Sequence, residues 1–187
     1  WLFTGLNVLR AAAIDKYDLG DFQFSQAYCF FWDQLEKANL FLQAVIDTRD
    51  LPFESREVDW LFSNPISDGG TFTGVADLVT KYGLVPSNVM PESYIANSTS
   101  AMATQLRTLL RKDGLELRGE LSGVKKKDVP AKLESMKVEM LKDVYRVLAL
   151  SFGVPPKEFE WNGKTYTPTQ FYEELLGYDL QHNYVML

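Results

Sequence analysis

Apolar residues recur at intervals of three or four along most of the chain, which is the spacing of amphipathic helices. The clearest example opens the sequence, at Trp1, Leu2, Leu6, Leu9, Ala13 and Ile14. Together with N-cap residues and helix-ending Gly and Pro residues, these patterns predict seven helices. They cover residues 1–17, a long segment after Ser25, residues 55–62, a segment from about 75 to 82, and residues 98–114, 128–152 and 168–176.

The segment after Ser25 has an unusual share of aromatic residues, at Tyr28, Phe30, Phe31, Trp32 and Phe41. A single apolar stripe cannot hold so many large side chains, because a helix that meets the core on one face shows polar residues on the other. We therefore expect this helix to be buried on more than one side.

One β-hairpin is predicted in "EFEWNGKTYTP". Asn162 and Gly163 are the residue types that adopt positive φ in a type I′ turn, and aromatic residues flank them. Residues 183–187, "NYVML", have the pattern of a further strand. Gly83 and Gly177 follow predicted helices at the position that favours glycine. The pattern predicts one mostly helical folded unit with a single hairpin.

Composition narrows the functional classes. The 187 residues are 46% hydrophobic and 24% charged, which is typical of a globular protein with a substantial core. A formal net charge of −6 disfavours nucleic acid as a partner, since nucleic-acid-binding domains are usually basic. The three lysines at 125–127 are read as a solvated turn. No apolar run reaches the ~18 residues that a membrane helix needs.

The residues themselves show no complete active site and indicate no cofactor or metal. Cys29 lies in the middle of an apolar helix, where burial opposes the thiolate, and we expect it to be structural. His182 has no recognisable partner. The Gly69-Gly70 pair has two interpretations: it makes the turn before the next helix, or its bare backbone approaches a bound peptide closely.

Several motifs stand in a fixed order: "WLFTGLNVLRAAAI", "FQFSQAYCFFWDQLEKANLFL", "NPISDGGTFTGVADLVTKYGLVPSNVMPESY", "GVPPKEFEW" and "TPTQFYEELL". This order resembles the papain-like cysteine peptidases, in particular the branch of bleomycin hydrolase and aminopeptidase C. The resemblance covers nearly the whole chain. It implies an α+β, papain-like cysteine peptidase fold, with residues 1–187 as a partial peptidase domain, mainly its helical half with one β-hairpin. Residues 98–130 are the candidate helical insertion relative to papain.

The resemblance also implies where the chemistry lies. In the family the nucleophilic Cys directly precedes the position of Trp1, an oxyanion-hole Gln lies further upstream, and the catalytic His and Asn lie downstream in a β-rich domain. None of these four belongs to residues 1–187. Gly69 and Gly70 match the glycines that pair with a peptide main chain. Thr71 and Phe72 match positions beside the pocket for the second substrate residue.

By this resemblance the parent protein is a cytoplasmic thiol aminopeptidase that hydrolyses N-terminal residues from peptides through Cys, His and Asn, and assembles as a homohexamer. This chain alone is then inactive. The alternative is a catalytically inactive helical module that serves assembly or peptide binding. A third hypothesis takes Cys29 as the nucleophile. Rapid alkylation of Cys29 in the folded protein at neutral pH would favour the third hypothesis.

Overall fold

The fold is given by a computed structural model that describes residues 1–119, 121, 123–177 and 180. Within them the chain forms seven α-helices and one antiparallel two-stranded hairpin, so the predicted helical class with one hairpin is confirmed. His182 and the strand predicted at 183–187 lie outside the described residues. The helices are α1 (Leu2–Tyr17), α2 (Gln26–Asp47), α3 (Arg56–Ser63), α4 (Phe72–Tyr82), α5 (Ser100–Arg118), α6 (Val129–Phe152) and α7 (Pro168–Leu175), and the strands are β1 (Phe159–Trp161) and β2 (Lys164–Tyr166).

The chain divides into two compact units. The first contains Trp1–Asp33, Gly69–Asn97 and the described residues from Phe152 onward. The second contains Gln34–Asp68 and Ser98–Ser151, and therefore includes the candidate insertion at 98–130. None of the helices in the described part of the chain has the length and apolarity that a membrane crossing requires.

In the first unit, α4 packs against both α1 and α7. Of the apolar positions of α1 that the sequence pattern identified, four are buried in this core and Trp1 and Ile14 are half-buried. Aromatic rings fill the space beside α7, where Trp161 and Phe159 each meet Phe171 edge-to-face at 5.2 Å between ring centroids. The buried side chains of this core include Leu2, Leu6, Leu9, Ala13, Tyr28, Phe31, Val75, Val79, Phe171 and Leu175.

The helix α2 is buried on several sides, as its aromatic content predicts. Ser25 precedes it and accepts a hydrogen bond at Oγ from the backbone N–H of Tyr28 at 3.1 Å, which confirms Ser25 as its cap. Trp32 stacks on Tyr82 at the end of α4, with 4.1 Å between ring centroids and 8° between the planes. The buried residues of α2 are Ala27, Tyr28, Cys29, Phe31, Asp33, Gln34, Ala38, Phe41, Leu42 and Val45.

The hairpin and α7 follow the turn and cap chemistry of their sequences. Asn162 and Gly163 have φ of 49° and 75°, as a type I′ turn requires. The Thr167 Oγ1 accepts a hydrogen bond from the Gln170 N–H at 3.3 Å, and the Gln170 Oε1 accepts one from the Thr167 N–H at 3.0 Å. This reciprocal capping box fixes the start of α7 directly after β2.

The helix α5 is longer than the sequence indicated, because it continues past Gly114 to Arg118. Gly114 does not end the helix. It is buried within it, and a Cβ there would lie 3.0 Å from Cζ of Phe62 and 3.2 Å from Cζ of Phe41. The glycine therefore makes room for two aromatic rings, a tertiary requirement that helix-ending rules do not include.

In the second unit, an arginine that follows α2 binds the C-terminal end of α5, and an arginine at the end of α5 binds the C-terminal end of α2. Arg49, just after α2, donates from Nε to the Leu117 carbonyl at 2.9 Å. Arg118, the last residue of α5, donates from Nη1 to the Thr48 carbonyl at 2.7 Å. The last carbonyls of a helix lack intrahelical partners and carry partial negative charge, so a guanidinium satisfies both their hydrogen bonding and their charge.

A buried carboxyl group lies on α5. Asp113 is only 3% exposed, and its Oδ2 has no hydrogen-bond partner among the described residues. Burial raises the pKa of Asp113 to about 6, although Lys112, with Nζ 3.9 Å from Oδ1, opposes the change. The nearby carboxylates of Glu116 and Asp143 add to the rise in pKa. The charged form of Asp113 therefore destabilises the folded state.

The approach of α4 to α7 generates a first prediction. Gly83 ends α4 with φ of 75°, and a Cβ there would lie 2.1 Å from the backbone C and O of Pro168. Gly20 has a similar φ of 60° but no atom within 4 Å of such a Cβ. We expect Gly20→Ala to lower the free energy of unfolding by about 1 kcal/mol, the usual cost of positive φ. Gly83→Ala should cost several times more, measured by denaturant unfolding; equal costs would refute the close approach.

The buried carboxyl group generates a second prediction, for Asp113→Asn. The folded-state pKa of Asp113 is raised above the unfolded value of about 3.9, so its ionisation destabilises the protein as pH rises from about 4 through 6. Asn cannot ionise. The variant should be more stable than the wild type at pH 7.5, on the order of 1 kcal/mol after solvent screening, and should lose this advantage near pH 4. Unfolding free energies at both pH values test this; a pH-independent difference would contradict it.

Candidate functional site

The glycine pair lies in an exposed loop of the first unit, directly before α4. Neither Gly69 nor Gly70 has a φ in the left-handed region, so the backbone conformation does not require glycine at either position. A requirement for positive φ therefore does not explain the pair. The reason for two glycines has to be sought in what their backbones touch.

Gly70 lies against the indole of Trp1. A Cβ at Gly70 would be 2.6 Å from Cε3 and 2.7 Å from both Cδ2 and Cζ3 of Trp1. Nearly equal distances to three consecutive ring atoms place this Cβ direction over the ring face rather than beyond its edge. Any side chain at position 70 would overlap the ring, since carbon atoms in contact are about 3.5 Å or more apart. Packing on Trp1 therefore requires glycine at 70.

A further glycine, Gly5, brings α1 and α4 together, and Gly74 lies beside Trp1. A Cβ at Gly5, one turn after Trp1 on α1, would lie 2.7 Å from Cγ2 of Val75 on α4. A Cβ at Gly74 would lie 3.7 Å from Cζ3 of Trp1, an ordinary contact distance. Val75 fits the space above Gly5, and Trp1 fits the space beside Gly70 and Gly74. These complementary contacts fix Gly70 beside the N-terminus of α1.

The backbone of Gly70 and the first turn of α1 both present hydrogen-bonding groups. The hydrogen bonds found among the described residues do not include the N–H or C=O of Gly70. Trp1 is the N-cap of α1 but provides no side-chain cap, and the first turn has no acidic residue. The first N–H groups of a helix lack intrahelical partners and carry partial positive charge, so this end of α1 favours an anion.

Thr71 and Phe72 continue the same loop into α4. Thr71 is the exposed N-cap, and its Oγ1 lies 2.7 Å from Oγ1 of Thr73 instead of capping the helix. Phe72 begins α4 and is half-buried. The four residues selected from the sequence are thus consecutive, with Gly69, Gly70 and Thr71 exposed and Phe72 half-buried at the start of α4. Their proposed roles in substrate binding remain predictions.

Sequence reasoning did not anticipate the part that Trp1 plays beside Gly70. Trp1 was assigned only to the apolar stripe of α1. Gly70 lies in the loop before α4, so helix periodicity gave no signal for this contact. Which large residue meets Gly70 depends on tertiary structure.

Cys29 has the environment of a structural thiol. It is 2% exposed within α2, and burial together with the neighbouring carboxylate of Asp33 raises its pKa to about 12. A thiol nucleophile reacts as the thiolate, which this environment suppresses at neutral pH. The burial of Cys29 therefore opposes a role as the nucleophile, as expected from its position in the sequence.

Metal ligands are not gathered in the described ranges. No group of three or more His, Cys, Asp or Glu residues there could hold a metal ion. His182, the one histidine of the sequence, lies outside those ranges. The segment around Gly70 presents backbone hydrogen-bonding groups, a helix N-terminus and an aromatic ring.

Comparisons with known proteins show which proteins this chain resembles. The model of the Peptidase C1-like family matches residues 1–187. Aminopeptidase C of Lactobacillus helveticus is 41% identical over 98% of this chain, and aminopeptidase C of Listeria monocytogenes is 36% identical over all of it. The crystal structure of PepW from Lactobacillus rhamnosis HN001 matches with a TM-score of 0.84 and 36% identity over 97% of the chain.

The match covers only part of each relative. The chain spans 42% of the Lactobacillus aminopeptidase C, 43% of the Listeria protein and 42% of PepW. More than half of the length of these relatives has no counterpart in residues 1–187.

The buried thiol generates a third prediction. At pH 7.5 the thiol of Cys29 is protonated and inaccessible, so iodoacetamide should not label it in the folded protein. Mass spectrometry of the peptide containing Cys29 should show modification only after denaturation in urea. Rapid labelling of the folded protein at this position would restore the hypothesis that Cys29 is reactive.

Proposed function

The chain belongs to the peptidase C1-like family, and from this premise we propose that it forms part of a thiol aminopeptidase that removes N-terminal residues from peptides. The relatives named aminopeptidase C support the activity, and their length supports a protein longer than this chain. The nucleophilic Cys, its His and Asn partners and the oxyanion-hole Gln are proposed to lie outside residues 1–187. The buried state of Cys29 supports this proposal, because the only thiol of the chain is unreactive.

In the proposed mechanism, this chain supplies the surroundings of the nucleophile. On the family resemblance, the nucleophilic Cys is proposed to lie directly before Trp1, next to the N-terminus of α1. The partial positive charge there and the absence of acidic residues in the first turn would stabilise a thiolate over the thiol. The thiolate attacks the peptide carbonyl, and the His donates a proton to the leaving amine. Water then attacks the acyl-enzyme and releases the N-terminal residue.

The observation that supports the proposal most directly is the position of Gly70. Its backbone is exposed beside the N-terminus of α1, and its N–H and C=O are not used by the described residues. Such an edge can pair with an extended peptide main chain in the manner of an added strand. Gly69, Thr71 and Phe72 continue this edge and are proposed to bind the same peptide.

Other properties follow from the resemblance rather than from the site. We include in the proposal a cytoplasmic location, assembly as a homohexamer and an insertion at residues 98–130 that contributes to assembly. The site that is proposed uses no cofactor. The peptide substrate is the only partner for which the relatives' names give support.

The activity gives a fourth prediction, tested on the full-length protein that contains this chain. It should hydrolyse aminoacyl-coumarin amides with a free α-amino group, and iodoacetamide should abolish this hydrolysis. N-acetylation of the substrate should lower kcat/KM by about 100-fold. This factor corresponds to roughly 2.7 kcal/mol, which is expected for the loss of a hydrogen bond to a charged group. Initial rates of coumarin release provide the measurement.

The Cys29→Ala variant is the matched control for alkylation. It should retain kcat and remain sensitive to iodoacetamide, since the reactive thiol is elsewhere. Activity that survives alkylation of every other thiol would exclude a thiol mechanism. If the full-length protein binds peptides but cleaves none, the alternative of an inactive peptide-binding module is correct.

A further inference from the structure

We propose that Trp1 is a positioning residue: its indole face is the surface that sets how close the peptide-binding backbone of Gly70 lies to the N-terminus of α1. This inference rests on the proposed function, because it concerns the same site. It adds a role for a residue that does not itself need to touch the substrate. The role is to hold two functional elements at a fixed spacing.

The contact is between a backbone and a flat ring. The Cβ direction of Gly70 points at the six-membered ring of Trp1, with three ring atoms at 2.6 to 2.7 Å from the Cβ position. Gly70 therefore has the ring on the side where a side chain would be. An indole has only two side-chain torsions, and here it is half-buried, so it is a stiff spacer.

The same ring belongs to the end of the helix. Trp1 is the N-cap of α1, so its backbone is part of the terminus at which the proposed thiolate is stabilised. Its side chain meets Gly70 and also reaches Gly74 in the first turn of α4, at 3.7 Å from the Cβ position there. One residue thus connects the α1 terminus and the peptide-binding edge. Movement of the ring would change their spacing.

The contact distances give the size of the effect. A Cβ at position 70 would be about 1 Å closer to the ring than the roughly 3.5 Å at which carbon atoms make contact. Gly70→Ala must therefore move the edge away from the ring by about 1 Å. A displacement of this size between a substrate and its catalytic group can cost about 100-fold in rate.

A positioning role and a purely structural role predict different kinetics. If Trp1 places the edge, Gly70→Ala should weaken peptide binding and orientation but should leave the nucleophile's own reactivity intact. Alkylation by iodoacetamide needs no peptide edge. The rate constant of inactivation by iodoacetamide therefore reports the nucleophile alone, while KM and kcat for a peptide report the edge.

The fifth prediction is for Gly70→Ala in the full-length protein. We expect kcat/KM for a peptide substrate to fall about 100-fold, with an increase in KM contributing to the loss. The rate constant of inactivation by iodoacetamide should stay at the wild-type value. The double variant Gly70→Ala with Trp1→Leu should have a kcat/KM about tenfold higher than that of Gly70→Ala alone, because Leu leaves space for the new methyl group.

Two variants serve as controls on the same pair of helices. Gly74→Ala adds a methyl group at an ordinary 3.7 Å from Trp1 and should leave kcat/KM unchanged. Gly5→Ala adds one at 2.7 Å from Val75 and separates α1 from α4 without touching Gly70. Suppose that Gly5→Ala lowered kcat/KM and raised KM as much as Gly70→Ala does. General separation of the helices, rather than the Trp1 contact, would then control the position of the edge, and the inference would be overturned.

The remaining outcomes are decisive as well. If Gly70→Ala does not fold, the single variant Trp1→Leu provides the test, because it adds no overlapping atom. A raised KM with an unchanged rate constant of inactivation by iodoacetamide supports the inference. Wild-type values of KM and kcat refute it. If the wild type is active and Gly70→Ala matches it, or the double variant shows no recovery, the inference fails while the proposed function stands. If the wild type cleaves no peptide, the proposed function fails and the inference fails with it.

Discussion

The close approach of α1 and α4 is the constraint on which the candidate site depends. Helices can approach this closely only where one of them lacks side chains, and here glycine provides the space on both sides of the contact. Val75 occupies the space above Gly5, and Trp1 occupies the space at Gly70. The Gly5 contact sets the distance between the helices, and the Trp1 contact, one turn away on α1, sets the position of Gly70. The exposed loop before α4 therefore has a definite place beside the N-terminus of α1.

The second unit is held by a different interaction. Its helix ends are joined by arginines that donate to terminal carbonyls, and Arg111 does the same for α3 by donating to the Phe62 carbonyl at 2.8 Å. A guanidinium has five donors in a planar fork, so it can satisfy two carbonyls at once, as Arg49 does with those of Leu117 and Gly119. These bonds tie loops to helices without close contact between backbones. Glycine-mediated packing and arginine capping are thus two separate solutions for fixing helices within the two units.

Local chemistry explains which parts of the structure the sequence predicts. The turn at Asn162-Gly163 and the capping box at Thr167 depend on residues within four positions of each other, and both are confirmed. The end of α5 was placed at Gly114, since a glycine near the end of an apolar pattern favours termination. The helix instead continues because the glycine accommodates the ring of Phe62 from a distant segment. The position of Trp1 against Gly70 was missed for the same reason: pattern analysis shows that a residue is apolar, but not which residue it meets.

The two glycines of the candidate site differ in what requires them. Gly70 is explained by the chain itself, because Trp1 leaves no room for a Cβ. Gly69 is not explained in this way: its φ is ordinary and no atom lies within 4 Å of a Cβ built there. Nothing in the described residues prevents a larger side chain at 69. A glycine has no side chain, so it permits another chain to come close to its backbone. The open space at Gly69 therefore leaves room for the peptide that the proposed function brings to this edge.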